Sequence, residues 1–167
     1  MLIRILGGGL ILFVTTMFGF FRAGQLARRE KNLCRFETAL SVLENEISYS
    51  SARLCEAFSR VSKISGLTIF QSAGEEIGTR SFSEIWSSTL TDFQSELCLS
   101  DADVEALNLL SEQLGKSDRT HQLQCIRHTA TLLRQNHADA VAQNAQSGKL
   151  YRSLGLLSGI FLVMLLL

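Results

Sequence analysis

Apolar residues fill both ends of the chain and settle into a helical rhythm between them. From Leu2 to Phe21 a single charge, Arg4, interrupts twenty residues, and from Leu154 to Leu167 none interrupts fourteen. A hydrocarbon core about 30 Å thick takes about 20 helical residues at ~1.5 Å each, so the first stretch is long enough to cross it. The second reaches across only when Leu150 to Ser153 are added, which makes eighteen residues. Tyr151 and Arg152 then stand where interfacial aromatics and snorkelling cations belong. Both ends read as transmembrane helices, residues 1–22 and 150–167.

Between the ends the apolar positions step by three and four. Leu33, Phe36, Leu40, Leu43 and Ile47 form one seam, and the membrane helix is expected to run on into it, since only Gly19 and Gly24 intervene. The polar run Ser48 to Ser51 ends it. Leu54, Phe58, Val61 and Ile64 give a second helix closed by Gly66, and Ile69, Phe70, Ala73 and Ile77 a third closed by Gly78. Ser81 followed by Glu84 has the form of a capping box, ahead of Ile85, Trp86, Leu90, Phe93 and Leu97. Ser100 and Asp103 repeat that signal before Val104, Leu107, Leu110 and Leu114, with Gly115 as the stop. Ser117 caps a sixth helix through Leu123, Ile126, Ala130, Leu133 and Val141, expected to end at Gly148 after about 45 Å. No strand-like alternation and no internal repeat is evident. The predicted fold is all-α: an antiparallel bundle of about six helices over residues 23–149, set between an N-terminal and a C-terminal transmembrane helix.

Composition sharpens this picture in two ways. The chain has no proline, which favours long uninterrupted helices. Its net charge of zero hides a pattern: residues 22–35 carry +4, residues 140–152 carry +2, and residues 36–139 hold eight bases and fifteen acids, a net of −7. Basic collars beside both spans place the central domain in the cytoplasm and both short ends outside, by the positive-inside bias. Such collars also suit contact with anionic lipid. An acidic domain lacks the basic footprint that nucleic acid requires. The basic side of the first span lies downstream of it and no A-x-A site follows, so a cleaved signal peptide is not expected. Cys34, Cys55, Cys98 and Cys125 form no CxxC, and Cys34 does not follow a small residue as a lipoprotein cysteine would. In a cytoplasmic domain they stay reduced and read as small apolar residues.

Candidate chemistry is sparse. His121, Cys125 and His128 share a face of the sixth helix, but a structural zinc site needs four ligands, and no fourth is visible. No metal, cofactor or catalytic group is therefore assigned. Glu44 with Glu46, and Glu75 with Glu76, sit at spacings that do not share a helix face. No GxxxxGK[ST] is present, so no P-loop cradles a nucleotide. Gly155 and Gly159 make a G-xxx-G in the second span and are candidate packing residues, to which Gly7 to Gly9 add small residues in the first. Arg119 is the residue least explained by local chemistry. Asp118 suits the positive end of a helix and an arginine does not, so Arg119 is expected to have a partner: an intramolecular acid such as Glu112, or a docking protein.

Several stretches, taken together, resemble the stage III sporulation protein AB family of endospore-forming bacteria. They are the basic residues after the first span, Leu43-Glu44-Asn45-Glu46-Ile47, Leu114-Gly115-Lys116-Ser117-Asp118-Arg119 with Gln122, and Leu154-Gly155 opening the last span. The likeness covers essentially the whole chain. It departs in lacking the proline usual in the family where Ser50 to Leu54 stand. The family is similar to the F-type inner-membrane proteins of type II secretion and type IV pilus machines. The resemblance implies a non-enzymatic membrane platform subunit of the channel joining mother cell and forespore, in the mother-cell membrane. Its implied partners are a secretion-type ATPase, stage III sporulation protein AA, and other membrane subunits of the channel, with homo-oligomerisation left open. Complementary charge then makes Glu44, Glu46, Asp118 and Arg119 the candidate partner-binding residues. Without the resemblance, a membrane-tethered sensory or adaptor bundle fits the composition equally well.

Overall fold

The computed structural model describes residues 2–49, 53–114 and 118–166. Six helices account for almost all of them: α1 (Leu2–Tyr49), α2 (Leu54–Ser65), α3 (Thr68–Glu76), α4 (Phe82–Leu97), α5 (Asp101–Gln113) and α6 (Arg119–Leu166). Among the described residues there is no strand, only an isolated bridge between Ile77 and Arg80. The chain forms two compact units, residues 31–138 and residues 1–30 with 139–167.

The unit of residues 31–138 is built around aromatic side chains. Leu33, Phe36, Leu40 and Leu43 of α1 are fully buried, as their spacing requires, together with Phe58, Phe70, Ile85, Trp86, Leu90, Leu107 and Leu110 from the shorter helices. Trp86 lies at the centre, with its ring centroid 5.3 Å from that of Phe70, 5.9 Å from Phe58 and 6.0 Å from Phe82. These are tilted, edge-on and stacked arrangements of the kind that add to simple area burial. The indole N–H is satisfied by the Leu107 carbonyl of α5 at 2.8 Å.

Three details of the seams differ from expectation. Ile64 is 61% exposed, and Ser62 and Ser65 face inward in its place. Burying Ser65 is tolerable because its hydroxyl donates to the Val61 carbonyl at 2.7 Å and accepts the Leu67 N–H at 3.3 Å, tying the turn between α2 and α3. Gly66, at φ 69°, closes α2 in the left-handed conformation expected of it. Ile77 falls just beyond α3, and Val141 is exposed.

Caps follow the same chemistry with one shortfall. Ser100 and Asp103 form the full reciprocal box, whereas at Ser81 the hydroxyl accepts the Glu84 N–H and only that half is present. The carboxylate of Asp103 is fully buried and also accepts a hydrogen bond from Asn136 of α6 at 2.9 Å, so one acid both caps α5 and joins it to the last helix. Asn32 works in the other direction. Its amide donates to the Leu97 carbonyl at 2.9 Å, filling one of the acceptors that the end of α4 leaves open.

In the unit of residues 1–30 and 139–167 the burial pattern is inverted. Gly8, Gly19, Ala23, Ala140, Gly148 and Gly159 are buried, while Phe13, Met17, Phe18, Leu157 and Phe161 are exposed. Among the described residues one helical stretch, in α1, is long and apolar enough to cross a membrane, and only 11% of its apolar window is buried. A core helix of a water-soluble domain would be mostly covered. The expected stop at Gly148 does not occur, and α6 continues to Leu166. Gly148 packs against the Asn144 side chain and does not take the left-handed conformation that ends a helix.

Candidate docking site

Residues singled out by sequence converge where α1 ends and α6 begins. The last four carbonyls of any α-helix lack partners within it, and α1 has no basic residue in its own last turn. Arg119 supplies the missing charge from the first position of α6: its Nε donates to the Ile47 carbonyl at 2.6 Å. An arginine misplaced for its own helix is thus well placed for another, since cations suit a helix C-terminus. The partner is a backbone carbonyl 72 positions away in sequence, a type of partner that charge pairing alone does not bring to mind.

The neighbouring acids are paired as well. Glu44 accepts from Arg127 of α6 at 2.7 Å, and Glu46 from Arg60 of α2 at 3.0 Å. Both arginines are more than half exposed, while the glutamates beneath them are partly covered, at 29% and 18%. Asp118 stands just before α6, its carbonyl taking the Gln122 N–H at 3.1 Å and its carboxylate meeting the His121 ring. That hydrogen bond holds the Asp118 carboxyl below its ordinary value, against the opposing effect of desolvation. Exposed surface at this end is therefore mostly basic, with Arg119, Arg127, Arg60 and His121 around one exposed acid, Asp118. Gly115 and Ser117, expected to shape the preceding turn, lie outside the described residues, as do Ser50 and Ser51.

Cys125 and the two histidines of its face separate. The thiol is partly buried and donates to the Leu109 carbonyl at 3.2 Å, His121 is taken by Asp118, and His128 is exposed. Burial pushes the Cys125 thiol up, and Glu112 adds to the rise. Among the described residues no group of three or more His, Cys, Asp and Glu is arranged to hold a metal ion.

The candidate packing glycines meet α1. A Cβ on Gly155 would lie 2.9 Å from the Thr15 carbonyl and 3.1 Å from the Gly19 Cα, and one on Gly159 would strike the Thr15 hydroxyl and approach the Leu12 Cα at 3.2 Å. Gly8 faces Val163, and Gly19 faces the Tyr151 carbonyl. Sequence reading missed Gly19 as a contact, marking it only as an interruption, and it missed Arg60 and Arg127, whose acids lie 14 and 83 positions away. The signal for Gly19 was its recurrence with Gly155 as a small residue in a second apolar stretch; for the arginines there was none.

The fold and these contacts define an all-helical protein with an apolar N-terminal helix and a compact helical domain that ends in a charged surface. Comparison with known proteins narrows the class. The family model for stage III sporulation protein AB (spore_III_AB) matches residues 4–167, and the chain belongs to that family. It is 30% identical over 171 residues to stage III sporulation protein AB of Bacillus subtilis (strain 168), across 99% of this chain and all of that one. A solved structure of stage III sporulation protein AB (SpoIIIAB) superposes with a TM-score of 0.63 at 27% identity, covering 70% of this chain and 96% of the other.

Proposed function

We propose that this protein is a non-enzymatic membrane platform subunit of a secretion-like channel used in sporulation, and that it docks a cytoplasmic secretion-type ATPase, stage III sporulation protein AA, to the membrane. In this reading residues 1–22 and 150–167 cross the mother-cell membrane as an antiparallel pair, both ends outside, and residues 23–149 face the cytoplasm. Family membership supports the sporulation role, and the basic collars beside the apolar stretches support the orientation.

The observation that carries the docking part is Arg119. Its guanidinium is exposed yet anchored to the Ile47 carbonyl, so a charge is held at a fixed point beside Asp118. Fixed charges at an interface lose little freedom on binding. Glu44 and Glu46, partly covered by their arginines, support the same surface.

The test is binding of the full-length protein in nanodiscs to the ATPase at two salt concentrations. Saturable binding that weakens at high salt and falls about tenfold in Arg119→Ala is expected, a charge-assisted contact being worth about 1.5–3 kcal/mol. A thermal melt of each variant separates loss of the α1 cap from loss of the interface. Binding indifferent to Arg119→Ala and Asp118→Ala refutes the site and leaves the function standing. No binding at any salt concentration refutes the docking function.

A further inference from the structure

Between α1 and α6, within the unit of residues 1–30 and 139–167, lies an open groove of about 630 Å³, within the range of ligand sites. Val14, Phe18, Leu154, Leu157 and Phe161 give it apolar walls. Two aliphatic hydroxyls also line it, and each already donates to its own helix, while the phenol of Tyr151 stands at one end. Thr15 Oγ1 donates to the Ile11 and Leu12 carbonyls at 3.0 and 3.1 Å, and Ser158 Oγ to the Gly155 carbonyl at 3.2 Å. Away from the Tyr151 end the groove thus offers an occupant mainly dispersion contacts, which suits a hydrocarbon chain.

Its length and its charge narrow the choice. Along α6 the lining runs from Tyr151 to Phe161, about 15 Å by the helical rise, or about half a hydrocarbon core. That is the depth of one leaflet. The charge stands at the Phe18 and Tyr151 end: the exposed Arg22 guanidinium sits 5.5 Å from the centroid of the Phe18 ring, and exposed Lys149 lies two residues before Tyr151. No acid precedes Glu30 in the chain. A second protein helix would fill the apolar walls but would leave these cations unanswered.

We propose that this groove binds an anionic phospholipid of the leaflet on the Arg22 side, one acyl chain lying along Val14 to Phe161 and the phosphate meeting Arg22 and Lys149. The proposal rests on the reading that both apolar segments cross the bilayer. The test uses the full chain in phosphatidylcholine vesicles carrying a trace of spin-labelled phosphatidylglycerol or spin-labelled phosphatidylcholine, and compares the motionally restricted fractions. Alkaline extraction of the same vesicles checks insertion.

The expected result is stronger restriction of phosphatidylglycerol than of phosphatidylcholine, reduced about fivefold in Arg22→Gln, the factor a basic residue at a membrane surface is worth. Ser158→Phe, which fills the groove from an exposed position, abolishes it while insertion is unchanged. Equal restriction of the two lipids in an inserted protein overturns the proposal, as does persistence of the preference in Ser158→Phe. A protein extracted at alkaline pH overturns the membrane reading itself, and the proposal with it. Disulfide crosslinking of two copies of Leu154→Cys in place of lipid restriction assigns the groove to a second copy and overturns the lipid.

Discussion

Phe36, Phe58, Phe70 and Trp86 are fully buried in the unit of residues 31–138, while Phe13, Phe18 and Phe161 in the other unit are 60 to 66% exposed. Both units are helical and rich in large apolar side chains, so composition does not separate them. What separates them is which residues the helices turn toward each other. Residues 31–138 bury their aromatics and leave charge outside, the arrangement that water imposes. In the other unit glycine and alanine are buried and the aromatics face out, an arrangement that leaves a large apolar surface unless lipid or another protein covers it.

Truncating an aromatic in each unit tests that contrast most severely. Trp86→Ala removes a fully buried indole and its three ring contacts, with Phe58, Phe70 and Phe82, and is expected to cost about 3–5 kcal/mol. Phe13→Ala removes a ring of comparable apolar character from a position 65% exposed, and is expected to change stability by less than about 0.5 kcal/mol. Urea unfolding of the full chain in nanodiscs, followed by far-ultraviolet circular dichroism, measures both. Equal losses would mean that both units fold by the same burial of apolar surface, and the contrast would fail.

The small residues provide the converse test. A side chain on Gly19 runs into the Tyr151 carbonyl and the Gly155 Cα, whereas Gly9 has open space around its Cα. Gly19→Leu should therefore cost about 1–3 kcal/mol through overpacking and lower the melting temperature in detergent. Gly9→Leu should leave it unchanged or raise it slightly, since leucine is the better helix former. The reverse order would mean that close approach of the backbones does not hold this unit together.

A smaller effect is expected at the end of α4. Cys98 takes φ 56°, the left-handed conformation in which glycine is the usual residue, and its backbone closes the helix with bonds to Gln94 and Ser95. Cys98→Gly should raise the stability of the 31–138 unit by about 1 kcal/mol, less the entropy glycine gains when unfolded. A melting temperature higher by a few degrees is the expected reading, and a lower one would show that the cysteine side chain does more than sit there.

Cys98 also illustrates where the sequence is silent. The seams of α1, α4 and α5 were legible because core positions repeat every three or four residues, and Ser100 with Asp103 was legible because a cap is a local event. Even the stop at Gly66 could be read, since only one backbone conformation is at issue. A left-handed cysteine carries no such mark, and the run of α6 through Gly148 was hidden because a glycine inside a helix looks the same as one that ends it. Ser62 and Ser65 displaced Ile64 from the core through hydrogen bonds that depend on the next turn. At the candidate site the positions Glu44, Glu46, Asp118 and Arg119 could be chosen from charge and motif. Their partners could not, because Arg127 and the Ile47 carbonyl are brought near by folding and by nothing in the spacing.

Asp118 and His121 are the exception, three residues apart and therefore neighbours on one helix turn, and they give the most delicate test of how the charged end differs from the packed interior. The Asp118 carboxyl is lowered chiefly by its hydrogen bond to His121. A lowered folded-state value means that the attraction is present above the unfolded carboxyl's value and is lost as pH falls through the folded one. Both side chains face solvent, so the melting temperature should scarcely register it. The titration itself should. In His121→Ala the Asp118 carboxyl, followed by carbon-13 NMR, is expected to titrate at higher pH, back toward the ordinary carboxylate range. A midpoint that does not move would assign the lowering to the start of α6, where backbone N–H groups also favour an anion, and would make Asp118 a helix cap whose charge is independent of its neighbour.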